Sequence, residues 1–374
     1  MTLMKIACTA DWHIHAFSDF SRQVQVIWDE DTGRFVESNN ESAKEVNSRL
    51  LNILDGICDL RDYCIDNDIS VVLNAGDVFH KRGSINVDTF NAAHKVIKSF
   101  ADRNIELIIL SGNHDQTDAS DLPTSSIHTL YNVATIIEKP CKIDLNDTSV
   151  IAIPYSRNKK FVLKSINKYF DSNSKNNILM AHLGVTGGAV GSGMYLMNDE
   201  YSMKDLKWDK WKYVVLGHYH RPQLLSHNSF YCGTPVQNTF NDEIKSDEDG
   251  GFNGFFVVDT SKRYDVQFVP IKRPRFITIN SPEDVPDNMS TDFYRIKTPA
   301  EAVEAIKSVI DEENVNVRLD IERNYAELDR SDIGISDSFE EAVKKYAKEN
   351  YEGKLDDVVD VGLEILAEAI SGGK

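Results

Sequence analysis

The chain has 374 residues, 41% of them hydrophobic and 27% charged, with a formal net charge of −18. That is enough chain for a large core and more than one domain, and a composition this ordinary sets intrinsic disorder aside. The acidic balance argues against a protein that coats nucleic acid with a basic face, and no apolar run approaches the ~20 residues that span a bilayer. It leaves room for an enzyme acting on DNA, because bound divalent cations reverse the local field of a carboxylate site.

Up to about Val269 short apolar runs alternate with amphipathic stretches. Runs rich in Val and Ile predict buried strands at Lys5–Ala10, Ile69–Asn74, Ile105–Leu110, Val150–Pro154, Ile178–Ala181 and Tyr213–Leu216. Between the first two, Val46, Leu50, Leu54, Ile57 and Cys58 recur at about one helical turn and predict a helix. Phe17 to Asn40 breaks the rhythm. It is polar, and Asp29-Glu30-Asp31-Thr32-Gly33 predicts a hairpin turn between Val24–Trp28 and Arg34–Val36, either an insertion on the rim of a site or a plain surface hairpin. Phe230–Tyr231 and Gly254–Asp259 predict antiparallel strands, and the whole reads as an α/β layer protein.

Pro270 and Lys272-Arg273-Pro274-Arg275 mark a boundary. After it come a strand at Phe276–Ile279, a helix at Pro299–Asp311 and a strand at Val315–Ile321, a small α+β module. Ser338 and Glu341 have capping-box spacing, and Phe339, Ala342, Val343, Tyr346 and Ala347 then form an apolar stripe. A second stripe runs through Leu355, Val358, Val359, Leu363, Leu366 and Ile370. The expected division is therefore 1–270, 271–330 and a helical segment 331–374, whose stripes pack on their own domain or on a partner. The N-terminus lacks a secretory signal pattern. Cys8, Cys58, Cys64, Cys141 and Cys232 are dispersed, which fits a reducing cytoplasm.

Five short motifs carry chemistry: Asp11-Trp12-His13, Gly76-Asp77, Gly112-Asn113-His114-Asp115, His182 within Ala181-His182-Leu183-Gly184, and Gly217-His218-Tyr219-His220. Each follows a predicted strand, and in α/β sheets ligand sites form where loops converge beyond the C-terminal strand ends. Imidazoles, carboxylates and a carboxamide, with no thiolate, suit divalent transition metals. Asp77 is the candidate bridge between two cations at roughly 3.5–4 Å, the spacing of two-metal phosphoryl chemistry. Singly, each motif has a bland reading: a solvated Asp-x-His pair, a Gly-Asp turn, a structural histidine beside Asp115. Five in this order are far more specific.

Together they resemble the calcineurin-like metallophosphoesterase signature. Thr9-Ala10-Asp11-Trp12-His13-Ile14 is similar to the opening of SbcD-type nucleases, and Ala75-Gly76-Asp77-Val78-Phe79-His80 to the meiotic-recombination nucleases of the same family. Ser111-Gly112-Asn113-His114-Asp115, Ile153-Pro154-Tyr155, the run from Tyr213 to Gln223, Tyr231-Cys232-Gly233-Thr234-Pro235-Val236-Gln237 and Gly254–Asp259 resemble further segments of those enzymes.

The resemblance implies a sandwich of two mixed sheets flanked by helices over residues 1–270, with a small α+β capping domain and C-terminal helices. It implies one metal on Asp11, His13, Asp77 and His220, and a second on Asp77, Asn113, His182 and His218. His114 would be the catalytic histidine that protonates the leaving oxygen, and His80 would position a nucleic-acid phosphate or act as a brace. Asp115 would orient an imidazole. The implied activity is Mn²⁺-dependent hydrolysis of DNA phosphodiesters beside an SbcC-like ATPase, with a homodimer expected. Two sites depart from the pattern or leave it open. His15 stands where SbcD proteins commonly have glycine and reads as a surface residue, and the acidic stretch Asp242 to Asp249 reads as a solvated loop. The competing readings are a small-substrate phosphodiesterase or protein phosphatase of the same superfamily, and a scaffold with a decayed site.

Overall fold

The computed structural model describes residues 4–118, 124–170, 176–190, 195–196, 201–244, 251–281, 284–286, 289–307, 315–322 and scattered positions between 341 and 363. Packing divides the chain into two compact units, Met1–Thr298 with Ala302–Asp320, and Pro299–Glu301 with Ile321–Lys374.

The first unit is built on two six-stranded mixed sheets. One runs, edge to edge, Val266–Pro270, Gly254–Asp259, Lys5–Thr9, Val71–Asn74, Glu106–Leu110 and Thr135–Ile137. The other runs Gln223–Ser226, Ser229–Tyr231, Tyr213–Gly217, Asn177–His182, Thr148–Ile153 and Cys141–Leu145. Central strands are parallel to their neighbours, and antiparallel strands join toward the edges.

Side chains alternate across a strand, so one strand feeds two cores. Ile6, Cys8, Leu73, Ile108 and Leu110 of the first sheet share a cluster with Val150, Ala152, Met180, Val215 and Phe230 of the second. The alternate residues Ala7, Val72, Leu107, Ile109 and Val257 pack with α1 (Ser48–Asp66) and α2 (Val87–Ala101). On the far side Ile151, Leu179, Val214 and Leu216 pack with Val162 and Ile166 of α3 (Lys159–Tyr169). Burial on both faces is why these strands read as unbroken apolar runs.

The segment from Phe17 holds a hairpin, Gln23–Asp29 with Arg34–Glu37, and Lys44–Asn47 pairs with its first strand. Val46 lies in that third strand opposite Val24, so the helical stripe begins at Leu50 rather than at Val46. Asn47 caps α1 by accepting from the backbone N–H of Arg49 and Leu50. Trp28 and Phe35 pack against the helical core. Arg61, fully buried in α1, donates to Gly33 O at 2.7 Å, Thr32 O at 2.8 Å and Ser99 Oγ at 2.6 Å, which locks the hairpin turn onto the helix.

The basic segment after Pro270 is not slack. Ile271 is buried in the helical core, and Arg273 reaches Asp55 at 3.0 Å and Asp59 at 2.7 Å on α1. Beyond it Phe276–Ile279, Phe293–Pro299 and Val317–Glu322 form a three-stranded sheet, with α4 at Val303–Lys307. Ile279, Tyr294, Ile296 and Ile306 make its small core. In the second unit most of the two apolar stripes expected from Phe339 to Ile370 lie outside the described residues; Glu341, Lys344, Lys345, Ala347 and Lys348 are helical, as are Val359 and 361–363. Among the described residues no helix is long and apolar enough to cross a membrane.

Candidate metal centre

The candidate residues come off neighbouring strand ends of both sheets. Asp11 and His13 follow Lys5–Thr9, Asp77 follows Val71–Asn74, and Asn113, His114 and Asp115 follow Glu106–Leu110. His182 ends one strand of the second sheet, and His218 and His220 follow another. All are thus delivered to one rim by the sandwich itself.

The loops that carry them are strained. Of the ten non-glycine residues with positive φ among the described residues, four are candidate ligands: Asp11 (52°), His13 (46°), Asp77 (58°) and His218 (105°). Such backbone costs about 1–3 kcal/mol per residue and persists only where surroundings enforce it. Here the enforcers are visible. Asp11 N donates to Gly76 O at 2.8 Å, His13 N to Asp77 O at 3.1 Å, and His218 N to Asp11 Oδ1 at 3.0 Å. Gly76 has a φ of 108°, and a Cβ there would lie 2.5 Å from His182 Nδ1. A Cβ on Gly112 would lie 2.2 Å from Asp77 Oδ1. Side chains at either place would fill the space that the ligands need.

Side-chain atoms then converge. Asp11, His13 and His220 offer ligand atoms within 4.8 Å of one another, as do Asp11, Asp77 and His182, and His13, His80 and His114. Asp77 Oδ2 stands 3.4 Å from His182 Nε2 and 3.8 Å from His13 Nε2. Asn113 Oδ1 is 2.9 Å from both His182 Nε2 and His218 Nδ1. Asp77 is central to this set, between the group holding Asp11, His13 and His220 and the group holding Asn113, His182 and His218.

Hydrogen bonds to fixed acceptors set the tautomers. Ala75 O can only accept, so His182 donates from Nδ1 at 2.8 Å and turns Nε2 inward. Asp242 takes the same role at His220, whose Nδ1 lies 2.8 Å from Oδ1. Asp242 is buried, and its Oδ2 accepts the backbone N–H of Asn238 and Thr239, each at 2.9 Å. It is therefore part of the site, not of a solvated loop. Its signal lay in a tertiary contact 22 residues from His220, which local patterning does not reach. Asp115 also differs from expectation. Its carboxylate meets no imidazole; it accepts the backbone N–H groups of Asp77, Val78, Phe79 and Gly112 at 2.9–3.1 Å.

The protonation pattern follows from burial and neighbours. Burial holds His13 well below the ordinary imidazole value, with the charge of His220 adding to it. Burial and the nearby His182 push His218 down to about 3, and burial with His15 and His114 pushes His80 down to about 4. At His182 burial opposes the charge, but Asp77 outweighs it and raises the group to about 9. Asp242 outweighs burial at His220 in the same way, again to about 9. Burial, then Asp77, raises Asp115 to about 7, and burial raises Asp11 to about 6.

These residues fit a metal cluster on their own evidence. His13 is 1% exposed, yet neither ring nitrogen has a hydrogen-bond partner. Buried polar atoms are rarely left so, and a neutral imidazole is the form that binds a cation. His182 and His220 carry protons where a cation would otherwise compensate Asp77 and Asp242, so metal must displace protons.

Two expectations follow. Asp242→Asn weakens the grip on Nδ1 of His220, and loss of such an orienting partner costs 10–100-fold in metal affinity; a chelator titration of parent and variant measures it, and equal affinities would deny Asp242 that role. The second concerns metal-stripped protein. His182 and His220 have folded values of about 9 against 6.5, so their stabilisation is complete below pH 6.5 and is lost as the pH rises through about 9. The melting temperature of chelator-treated protein falls over that window, and a flat profile would contradict the two ion pairs.

Other predicted residues also lie here. His114 donates from Nδ1 to His80 O at 2.6 Å. The His80 ring stacks on His114 (5.6 Å) and on His15 (5.3 Å), so His15 is half-buried against the site rather than a free surface residue. Phe17 packs on His80 at 4.9 Å, which brings the start of the 17–40 segment to the rim. Tyr155 stacks on His218 at 6.0 Å.

Residues 4–222, more than half of the chain, match the calcineurin-like phosphoesterase family. The chain belongs to that family, whose fold of paired mixed sheets and helices it has. It is similar to Exonuclease subunit 1 of Enterobacteria phage T4, 24% identical over 228 residues, 58% of this chain and 60% of that protein. It is also similar to the putative phosphoesterase 078R of Invertebrate iridescent virus 3, 23% identical over 231 residues, 60% of this chain and 61% of the relative. The matches thus span about three fifths of these relatives' own length. Among solved structures, a dimetal phosphatase from Danio rerio aligns at a TM-score of 0.37 and 9% identity, over 68% of this chain and 91% of that one.

Proposed function

We propose that the protein is a DNA nuclease subunit: a Mn²⁺-dependent exonuclease and endonuclease that processes double-strand breaks for recombination beside an SbcC-like ATPase. The observation that carries this reading is the likeness to the phage protein named Exonuclease subunit 1. The SbcD-like segments outside the ligands support it, from Ile153-Pro154-Tyr155 to Tyr231–Gln237. The five free cysteines fit work in a reducing cytoplasm. A homodimer, and docking of the ATPase on the helical segment 331–374 beyond a nuclease domain at 1–270 and a capping domain at 271–330, belong to the same proposal.

One cation would be held by Asp11, His13, Asp77 and His220, and another by Asp77, Asn113, His182 and His218. Bound there, such ions supply neutralisation of phosphoryl oxygens and a water acidic enough to attack near neutral pH. The chain supplies order and a proton. Because the Nδ1 proton of His114 is committed to His80 O, Nε2 is the nitrogen that can hand a proton to the leaving oxygen. The backbone N–H of His114 donates to Asp77 Oδ1 at 2.7 Å, which ties the acid to the carboxylate that would serve both cations. His80, stacked on the ring of His114, would keep its plane and position the entering phosphate.

The test is digestion of linear duplex and single-stranded DNA with Mn²⁺ or Mg²⁺, with and without chelator. Cutting in Mn²⁺ that the chelator abolishes is expected. Hydrolysis of small phosphoesters with no action on DNA would replace this reading with that of a small-substrate phosphodiesterase or phosphatase.

A further inference from the structure

Next to the metal centre is a cavity of about 330 Å³ whose walls include Phe17, Phe20, Arg49, Phe240, Arg295 and Arg318. Its volume is within the ~300–1,000 Å³ of small-molecule sites. Three guanidinium groups meet there in a chain of net charge −18.

Among the described residues Arg49 has no carboxylate partner, and Arg295 donates to Thr278 Oγ1 at 2.9 Å. Arg49 is 2% exposed, and its described acceptors are backbone carbonyls, Asp19 O at 3.2 Å and Asn238 O at 2.7 Å; its Nε has no hydrogen-bond partner. Rings of Phe17, Phe276 and Phe293 face it at 5.2, 4.7 and 4.8 Å. Burial lowers its guanidinium to about 10 despite Asp19 and Asp242. Arg295 lies over Phe240 at 4.4 Å, and Arg318 over Phe240 at 5.6 Å and Phe20 at 5.8 Å. These two share Asp320, at 3.9 and 3.0 Å, and Asp19 stands 3.9 Å from Arg318 with its side chain 74% exposed. Phe20 has a φ of 58°, a strained backbone that holds its ring in this wall.

The cavity and the centre share parts. Phe17 packs on His80, and Asn238 and Thr239 in the cavity wall donate to Asp242, the carboxylate that holds His220. Aromatic faces beside arginines are how single-stranded nucleic acid is held: bases stack and phosphates pair with guanidinium groups.

We propose that this cavity takes one nucleobase with its adjoining phosphate, Phe20 and Phe240 stacking the base and Arg295 and Arg318 pairing with the phosphate, next to the bond presented to the metal centre. The assignment rests on the nuclease reading for its source, a DNA strand; a free mononucleotide offers the same chemistry.

The test is equilibrium binding by the full chain in chelator, so that nothing is cut. The probes are a 5′-labelled single-stranded oligonucleotide, read by fluorescence anisotropy, and dAMP as competitor. Arg318→Gln and Phe240→Leu are each expected to weaken oligonucleotide binding about tenfold, as loss of one stacked or paired nucleotide does, with melting temperatures near the parent's. Arg318 is 44% exposed, so its variant folds even if the Phe240 variant does not. Binding as tight as the parent's in Arg318→Gln, or no binding of either probe by the parent, overturns the proposal. Variant-sensitive binding of dAMP without the oligonucleotide supports the subsite and assigns it to free nucleotides. DNA digestion in Mn²⁺ is scored separately. Sensitive binding without digestion removes the nuclease reading and leaves the subsite, whereas digestion with insensitive binding removes the subsite alone.

Discussion

Asp77→Ala is expected to leave the protein without most of its metal and without measurable hydrolysis. Asp77 is 2% exposed, and its two oxygens serve different neighbours: Oδ1 accepts the His114 N–H, and Oδ2 faces His182 and His13. Burial works against its charge, but His182 and then His13 prevail and hold the carboxyl far below the ordinary range. Removing one partner of such a buried set leaves the other uncompensated, a cost of about 3–5 kcal/mol, so the melting temperature should fall as well. Asp77→Asn keeps the shape and separates charge from packing. Elemental analysis of the purified proteins decides the matter: retention of a full metal complement in both variants would end the bridging assignment.

His114→Ala has a different signature. Its ring is fixed by His80 O, and the proposed ligand sets do not include it. The variant should keep its metals and lose about 10²–10⁴-fold in turnover, the range for a general acid. The backbone N–H that reaches Asp77 survives the substitution, so the centre's geometry is retained. Loss of metal in this variant would mean that a ligand had been taken for a proton donor, consistent with the close approach of His13, His80 and His114. A near-normal rate would remove His114 from the chemistry.

Much of the fold was legible because its strands are buried on both faces. Gly254–Asp259 and Phe276–Ile279 were expected with the bounds observed, and the other core strands within about two residues, since an uninterrupted apolar run has clear ends. Val266–Pro270 is an edge strand with half-buried and exposed residues, and such a pattern gives no run to find. The helical stripe was extended to Val46 because strand and helix can share an apolar residue at their junction. The motifs of the candidate centre were legible because each candidate residue stands at or within a few positions of a strand end. Asp242 was not, because it acts through folding back onto His220, and Asp115 was misread because its partners are backbone groups that no side-chain pattern reveals.

Asp115 joins two loops that would otherwise be independent. The segment after Val71–Asn74 contributes three N–H groups to it, and the segment after Glu106–Leu110 contributes a fourth. Neither loop can open without leaving buried donors unpaired, at about 1–3 kcal/mol each. The amide protons of Asp77, Val78, Phe79 and Gly112 should consequently exchange with solvent as one cooperative group, at the rate of a shared opening. Asp77 and the Asn113–His114 pair are therefore tied to one another through Asp115 and through the His114 N–H, and opening of either loop is expected to disturb both.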